Sequence, residues 1–340
     1  MSKMNVKEKE KPFHEKLKQF FRINRGNYKG RADVSLTPEL EKELSSENPT
    51  HSRIKAIKEL SDLVVSSRLE DNSIEKLWIL LQDLLKREHT KEHRHITFCF
   101  FRCLVQGQYE KLGIMRVIFF RVIKLHDIPE DANPRLDLLQ SLTENGKDIE
   151  YFEKDIAPFL LSWMPAIVGT PRTNDFLLVL VNLIKYNAAY VDEDVIIGFV
   201  ENTCLLCLRT NSKEVVLSCL QVLDAVVCYS ILPFASLTTF ICALCRTANI
   251  EAFYQSCWKI MRNLLGTHMG HSALYTMCRL LQDPACGEDY CLLRGAVIHI
   301  NMGLWGTEHV TSLKCTPTSI LPSYIQVNCK NFLANGFSYI

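Results

Sequence analysis

Four cysteines stand in two C-x-x-C pairs, Cys204/Cys207 and Cys242/Cys245. Four converging thiolates are a tetrahedral zinc site in the making. Zinc-ribbon pairs are about 15–20 residues apart, whereas 34 residues separate Cys207 from Cys242. Both pairs also belong to a longer echo. Cys204-Leu-Leu-Cys207-Leu-Arg-Thr210 returns as Cys242-Ala-Leu-Cys245-Arg-Thr247. Equivalent places near the end of a helix explain the thiols as packing residues. His89-Thr-Lys-Glu-His93 fits the H-x-x-E-H spacing of inverzincin metal sites. That chemistry needs both histidines on one face of a buried helix, with the glutamate as base. Here the motif lies in Lys86–Arg94, a charged run straddling a helix start, which reads as a solvated turn. His268 and His271, near Cys257 and Cys278 and flanked by Gly266 and Gly270, read as a loop. No phosphate-binding loop, dinucleotide fingerprint, nucleophile elbow or kinase signature occurs. No catalytic, cofactor-binding or metal-binding residue is therefore expected, and no cofactor.

The elements that carry these residues recur at a fixed length. Helix-start signals fall at Asn48, Thr90, Asn133, Thr173, Asn211, Asn249 and Gly287. Pro49 and Pro134 follow two of them, at positions where a helix does not need the missing N–H. The intervals are 42, 43, 40, 38, 38 and 38 residues. Each holds two apolar-periodic runs, such as Phe176–Ile184 and Val195–Leu208. Two helices per roughly 40 residues is the period of HEAT and armadillo repeats. An all-α solenoid of about seven helix pairs is expected, with strand signals weak throughout.

Composition bounds what such an array does. The 340 residues exceed one compact core, which stops growing near about 250–300 residues. A hydrophobic fraction of 47% is too high for a disordered chain. A net charge of +1 gives no general attraction to nucleic acid or acidic membranes. The fourteen cysteines sit mostly in apolar helical runs, as reduced thiols do in the cytoplasm. No secretory leader is recognisable, because the first apolar stretch is short and broken by Lys and Glu. Ala225–Cys245 is uncharged, but Pro233 and four hydroxyl residues divide it into two buried helices.

The two ends differ from the array. Residues 1–31 hold ten Lys or Arg and three Glu. Phe13, Leu17, Phe20 and Phe21 fall on one face of an expected helix, ringed by Lys11, Lys16, Lys18 and Arg22. It reads as a capping helix, with partner binding or weak membrane-surface contact as the other uses of such a face. After Val327, Asn328, Asn331, Asn335 and Gly336 weaken helical periodicity.

Several stretches resemble the N-terminal region of the tuberin family. They are Val105-Gln-Gly-Gln108 through Phe119-Phe-Arg-Val-Ile-Lys124, Phe176–Ile184, Leu220–Tyr229, Cys257–His268, Leu292–Ala296 and Pro317–Pro322. The resemblance runs over 36–324. It leaves 1–35 as a basic helix and polar linker, and 325–340 as a divergent tail of a truncated or alternatively terminated array. It implies a HEAT-type solenoid that binds hamartin in the tuberous sclerosis complex. It also implies a place in the cytoplasm, or at the lysosomal surface as part of that complex. The full-length family activates GTP hydrolysis by Rheb and so restrains target-of-rapamycin signalling. Its activating domain matches no position here, so the chain is expected to be no enzyme and to meet Rheb only through that missing domain. The alternative is direct action on a small GTPase, with Arg294 or Arg262 as an arginine finger.

Overall fold

The computed structural model describes residues 21–24 and 33–305. Among them are fourteen α-helices, seven successive pairs, and the fold class is that of an α-solenoid. The described residues form two compact units, one reaching to 145 and including 150–152, the other 146–149 and 153–305.

The first unit holds α1 (Pro38–Leu44), α2 (Thr50–Ser66), α3 (Ser73–Leu81), α4 (Lys91–Gly107), α5 (Met115–Leu125) and α6 (Ala132–Leu142). Helix α4 packs on both α2 and α6, two elements away in each direction. Its apolar residues therefore cover more than one face. Phe98, Phe100, Phe101, Leu104 and Val105 are all buried. Gly107 sits where α4 crosses α2, and a Cβ there would collide with the Val64 carbonyl.

A backbone sheet adjoins these helices. Strand β1 (Phe21–Asn24) pairs antiparallel with β2 (Asp33–Leu36), and β2 pairs parallel with β3 (Arg68–Leu69). This corrects the expected basic helix at its edge. Phe21 opens a strand, and the alternating Phe-Arg-Ile-Asn segment finds its backbone partners across β2. Phe13, Leu17 and Phe20 lie outside the described residues.

Buried arginines tie the first unit together. Arg53, Arg94 and Arg135 are each the fourth residue of α2, α4 and α6, at intervals of 41. Arg53 makes a bidentate pair with Asp83, at 2.8 and 2.6 Å, and donates to the Leu44 and Leu80 carbonyls. Burial raises the Asp83 carboxyl, but the hydrogen bonds and charge of Arg53 more than reverse this and hold it low. Arg94 Nε donates to Asp131 at 2.6 Å and also reaches the His89 carbonyl. Asp131, itself fully buried, takes a further 2.8 Å contact from His126 Nε2. Arg135 donates twice to the Ile123 carbonyl, and burial lowers its pKa to about 10, so it stays charged at neutral pH.

The second unit holds α7 (Glu153–Ile167), α8 (Thr173–Asn187), α9 (Glu193–Arg209), α10 (Lys213–Tyr229), α11 (Leu237–Thr247), α12 (Glu251–Leu265), α13 (Gly270–Gln282) and α14 (Tyr290–Trp305). Helices α8, α10, α12 and α14 stack as one layer, and α7, α9, α11 and α13 as the other. Phe176, Val216 and Tyr254 stand at the fourth helical position here, so no arginine continues the series. Ala225–Cys245 is two helices with a turn between them, as its proline and hydroxyls suggest. Among the described residues no helix is long and apolar enough to cross a membrane. Gly295 lets α14 approach α11, since a Cβ there would collide with the Cys245 carbonyl.

Most starts fall within three residues of their signals, though not by the expected contacts. Thr90 caps α4 by accepting from His93 N. Asn48 and Asn249 instead donate backwards, to the closing carbonyls of α1 and α11. Ser212, one residue past Asn211, is the cap of α10. Asn133 lies inside α6, whose first turn holds Pro134.

Two outcomes follow from these buried charges. Replacing Arg94 by Met takes the guanidinium from the buried Asp131 carboxylate, leaving it His126 alone, and costs about 3–5 kcal/mol. Urea unfolding will register that loss, and adding Asp131→Leu will recover much of it. His299 is fully buried on α14, neither ring nitrogen has a hydrogen-bond partner, and the nearby Leu244 carbonyl compensates little. Burial drives its pKa down to about 4 from 6.5. The unfolded chain then binds the proton more readily, so stability is whole above pH 6.5 and falls as pH drops toward 4. The loss is about 3 kcal/mol at most. Unfolding curves between pH 7 and 4 will show that slope, and His299→Leu will flatten it.

Candidate protein-binding surface

Cys204 and Cys207 lie on α9, and Cys242 and Cys245 on α11. Cys204, Cys207 and Cys245 are buried, and Cys207 Sγ lies 3.6 Å from the Thr247 hydroxyl. Burial raises the thiols of Cys204, Cys207, Cys242 and Cys245, and that of Cys257 to about 12. Thiols so placed stay protonated and pack as small apolar groups. Among the described residues no group of three His, Cys, Asp or Glu is placed to hold a metal ion.

The other candidates are separated too. His89 precedes α4 while Glu92 and His93 form its first turn, so the two histidines do not share a helix face. The turn serves Arg94, which takes the His89 carbonyl. His268 and His271 are exposed, whereas Cys257 and Cys278 are buried in α12 and α13. Arg262 and Arg294 are both exposed. Arg294 borders an open groove of about 540 Å³, lined also by Asn249, Glu251, Tyr254, Gln255 and Ile298.

The most distinctive surface is one that motif searching passes over. Helices α8 and α10 run parallel and in register. Ser218 donates to Asn174 at 3.0 Å near their starts, and Lys185 lies over the rings of Tyr186 and Tyr229 near their ends. The two contacts between the helices, Asn174 with Ser218 and Lys185 with Tyr229, each join residues 44 apart, so the C-terminal ends of both helices share one edge of the unit. Tyr186, Tyr190 and Tyr229 are 52%, 54% and 50% exposed there, and Ile231 and Phe234 in the following turn are 69% and 71% exposed. Lys185 Nζ is 5.2 Å from the Tyr186 ring centre and 5.8 Å from that of Tyr229. Lys147 Nζ is 5.9 Å from Tyr186. Asn187 fixes the backbone beneath by donating to the Gly146 and Lys147 carbonyls. Large rings on rigid helix ends lose little entropy on contact with another protein, which is why Tyr and Trp anchor interfaces. The available signal was positional, aromatic residues at equivalent helix ends, and spacing rules for chemical motifs do not detect it.

Known proteins carry this arrangement of helices. A family model described only as a domain of unknown function, DUF3384, matches residues 50–333. The "Tuberous sclerosis 2 protein homolog" of Schizosaccharomyces pombe is 23% identical over 249 residues, or 66% of this chain. The chain spans 18% of that relative's length. A solved structure of the TSC2 N-terminus aligns with a TM-score of 0.69 at 17% identity, over 88% of this chain and 82% of that one. At that identity the likeness shows the fold alone.

Chelators are expected to leave helicity and melting unchanged. Cys245→Ser will cost about 1–3 kcal/mol, because a hydroxyl buried there lacks a partner. Cys207→Ser will cost less, since Thr247 lies within reach of the new hydroxyl. Zinc bound in stoichiometric amount, with loss of fold on chelation, would overturn the packing role.

Proposed function

Because the chain belongs to the DUF3384 family, the helical N-terminal region of tuberin-like proteins, we propose that it is a non-catalytic scaffold that binds hamartin. The observation that supports this reading is the aromatic edge of the second unit, a rigid and exposed surface on packed helix ends. The full-length relative is several times longer than this chain. Activation of Rheb, and through it restraint of target-of-rapamycin signalling, belongs in this reading to other parts of such a protein. The chain acts in the cytoplasm, or at the lysosomal surface when assembled.

Direct activation of a small GTPase has one structural point in its favour. Arg294 is exposed and borders a groove. An arginine finger, however, accelerates GTP hydrolysis only when placed with a water-positioning residue and the nucleotide. Co-precipitation with hamartin is expected to succeed with the purified chain. Rheb is expected to hydrolyse GTP at its own rate with the chain present, and Arg294→Ala to make no difference. Faster hydrolysis that Arg294→Ala abolishes would replace the scaffold with the activator.

A further inference from the structure

We propose that Cys242 and Cys286 form a redox-sensing dithiol, which hydrogen peroxide converts to a disulfide that staples α11 to the turn before α14. The inference goes beyond the scaffold reading and holds whatever the partner is.

Placement is the first argument. Arg246 Nε pairs with Asp289 Oδ2 at 2.8 Å, which joins the end of α11 to the residues opening α14. Cys242 stands one turn before Arg246 on the same face of α11. The Asp289 N–H donates to the Cys286 carbonyl, so Cys286 closes the single turn that leads to the same carboxylate. The Arg246 guanidinium accordingly lies near both sulfurs, and each sulfur is within electrostatic reach of the other. Two further contacts fix this frame. Asn249 Nδ2 donates to the Cys291 carbonyl at 2.7 Å, and Gly295 lets α14 approach the Cys245 backbone.

Exposure is the second argument. Cys204, Cys207, Cys219, Cys245, Cys257 and Cys278 are buried, whereas Cys242 and Cys286 are both partly open to solvent. A disulfide needs Cα atoms about 4.4–6.8 Å apart. Residues 282–285, 287 and 288 are exposed, so little packing holds the turn of Cys286 against the adjustment that bonding requires. Cys228 is exposed too, but its neighbours are Asp224 and Asn263.

The two thiols have different roles. Burial pushes the Cys242 thiol up, and the charge of Arg246 does not reverse it. Cys242 therefore stays protonated and is the resolving thiol, while Cys286, on its exposed turn, meets the peroxide. Cys286 loses its proton to solvent and its sulfur attacks one peroxide oxygen. The O–O bond breaks, and the hydroxide that leaves takes up a proton as water. The sulfenic acid so formed on Cys286 is attacked by the Cys242 sulfur. The S–O bond breaks, and the hydroxyl departs as water with the Cys242 proton. Two thiols lose two electrons, and one peroxide is reduced to two waters.

The test uses the full chain, reduced and folded, with a small molar excess of hydrogen peroxide. Free thiols are then alkylated in denaturant and the peptides mapped by mass spectrometry. Cys242–Cys286 should be the first disulfide to form, and dithiothreitol should reverse it. The six buried thiols should still be alkylated in full. With Cys242→Ser, Cys286 should stop at the sulfenic acid and take a dimedone label. With Cys286→Ser, oxidation of Cys242 should slow by about tenfold or more, because a protonated thiol is a poor nucleophile. Both sites are partly exposed, and circular dichroism verifies that the serine variants fold. At a fixed heating rate the oxidised protein should melt at least about 4 °C higher, as for closing a long loop. A first disulfide between Cys99 and Cys103, or between Cys286 and Cys291, would overturn the proposal. So would oxidation of Cys228 or Cys291 before any disulfide forms, or melting unchanged by the bond.

Discussion

Helices of 7 to 17 residues bury too little surface to stand alone, and here most carry apolar side chains on more than one face. A helix with two sticky faces needs neighbours on both sides, and the second-nearest element supplies them: α4 lies between α2 and α6, and α10 between α8 and α12. From that requirement come the constant repeat length, the close crossings at Gly107 and Gly295, and the alignment of helix ends along an edge. The aromatic edge follows from the stacking. Residues at equivalent helix ends are brought side by side although some 40 positions separate them in the chain.

The two units answer the same requirement with different side chains. In the first, guanidinium groups fill one position of alternate helices, α2, α4 and α6, and satisfy carbonyls and carboxylates that would otherwise be stranded. A buried charge of this kind is tolerable only when every donor finds an acceptor, so it fixes register as much as it holds the helices together. In the second unit the same helical position is Phe, Val or Tyr, and the core is aliphatic, aromatic and thiol. Register there depends on shape, as where Gly295 admits the Cys245 carbonyl.

Much of the repeat was legible in the sequence, because hydrophobic periodicity and start signals act locally. Thr90 is a cap in the structure as in the sequence. Asn48 and Asn249 marked the right boundaries for another reason, since their amides close the preceding helix. Arg53, Arg94 and Arg135 are one residue type at a spacing of 41, but composition places a charged residue at the surface, and only the stacked helices show these three in the core. Phe21 fitted a helical face by spacing, and only pairing with Asp33–Leu36, a contact outside the local window, makes it a strand. The binding edge was beyond reach for the same reason: Tyr186 and Tyr229 become neighbours only when α8 and α10 are stacked.

The buried thiols also govern what happens after the fold is lost. Cys204, Cys207, Cys219, Cys245, Cys257 and Cys278 are all enclosed in the second unit, where oxidants cannot reach them. Opening that unit releases six thiols within a short length of chain, and in air they can cross-link in pairings that the native packing forbids. Return to the native state then competes with a chemical dead end. Under oxidising conditions the lifetime of this protein is set by how often the stack first opens, and its apparent melting temperature moves with the rate of heating.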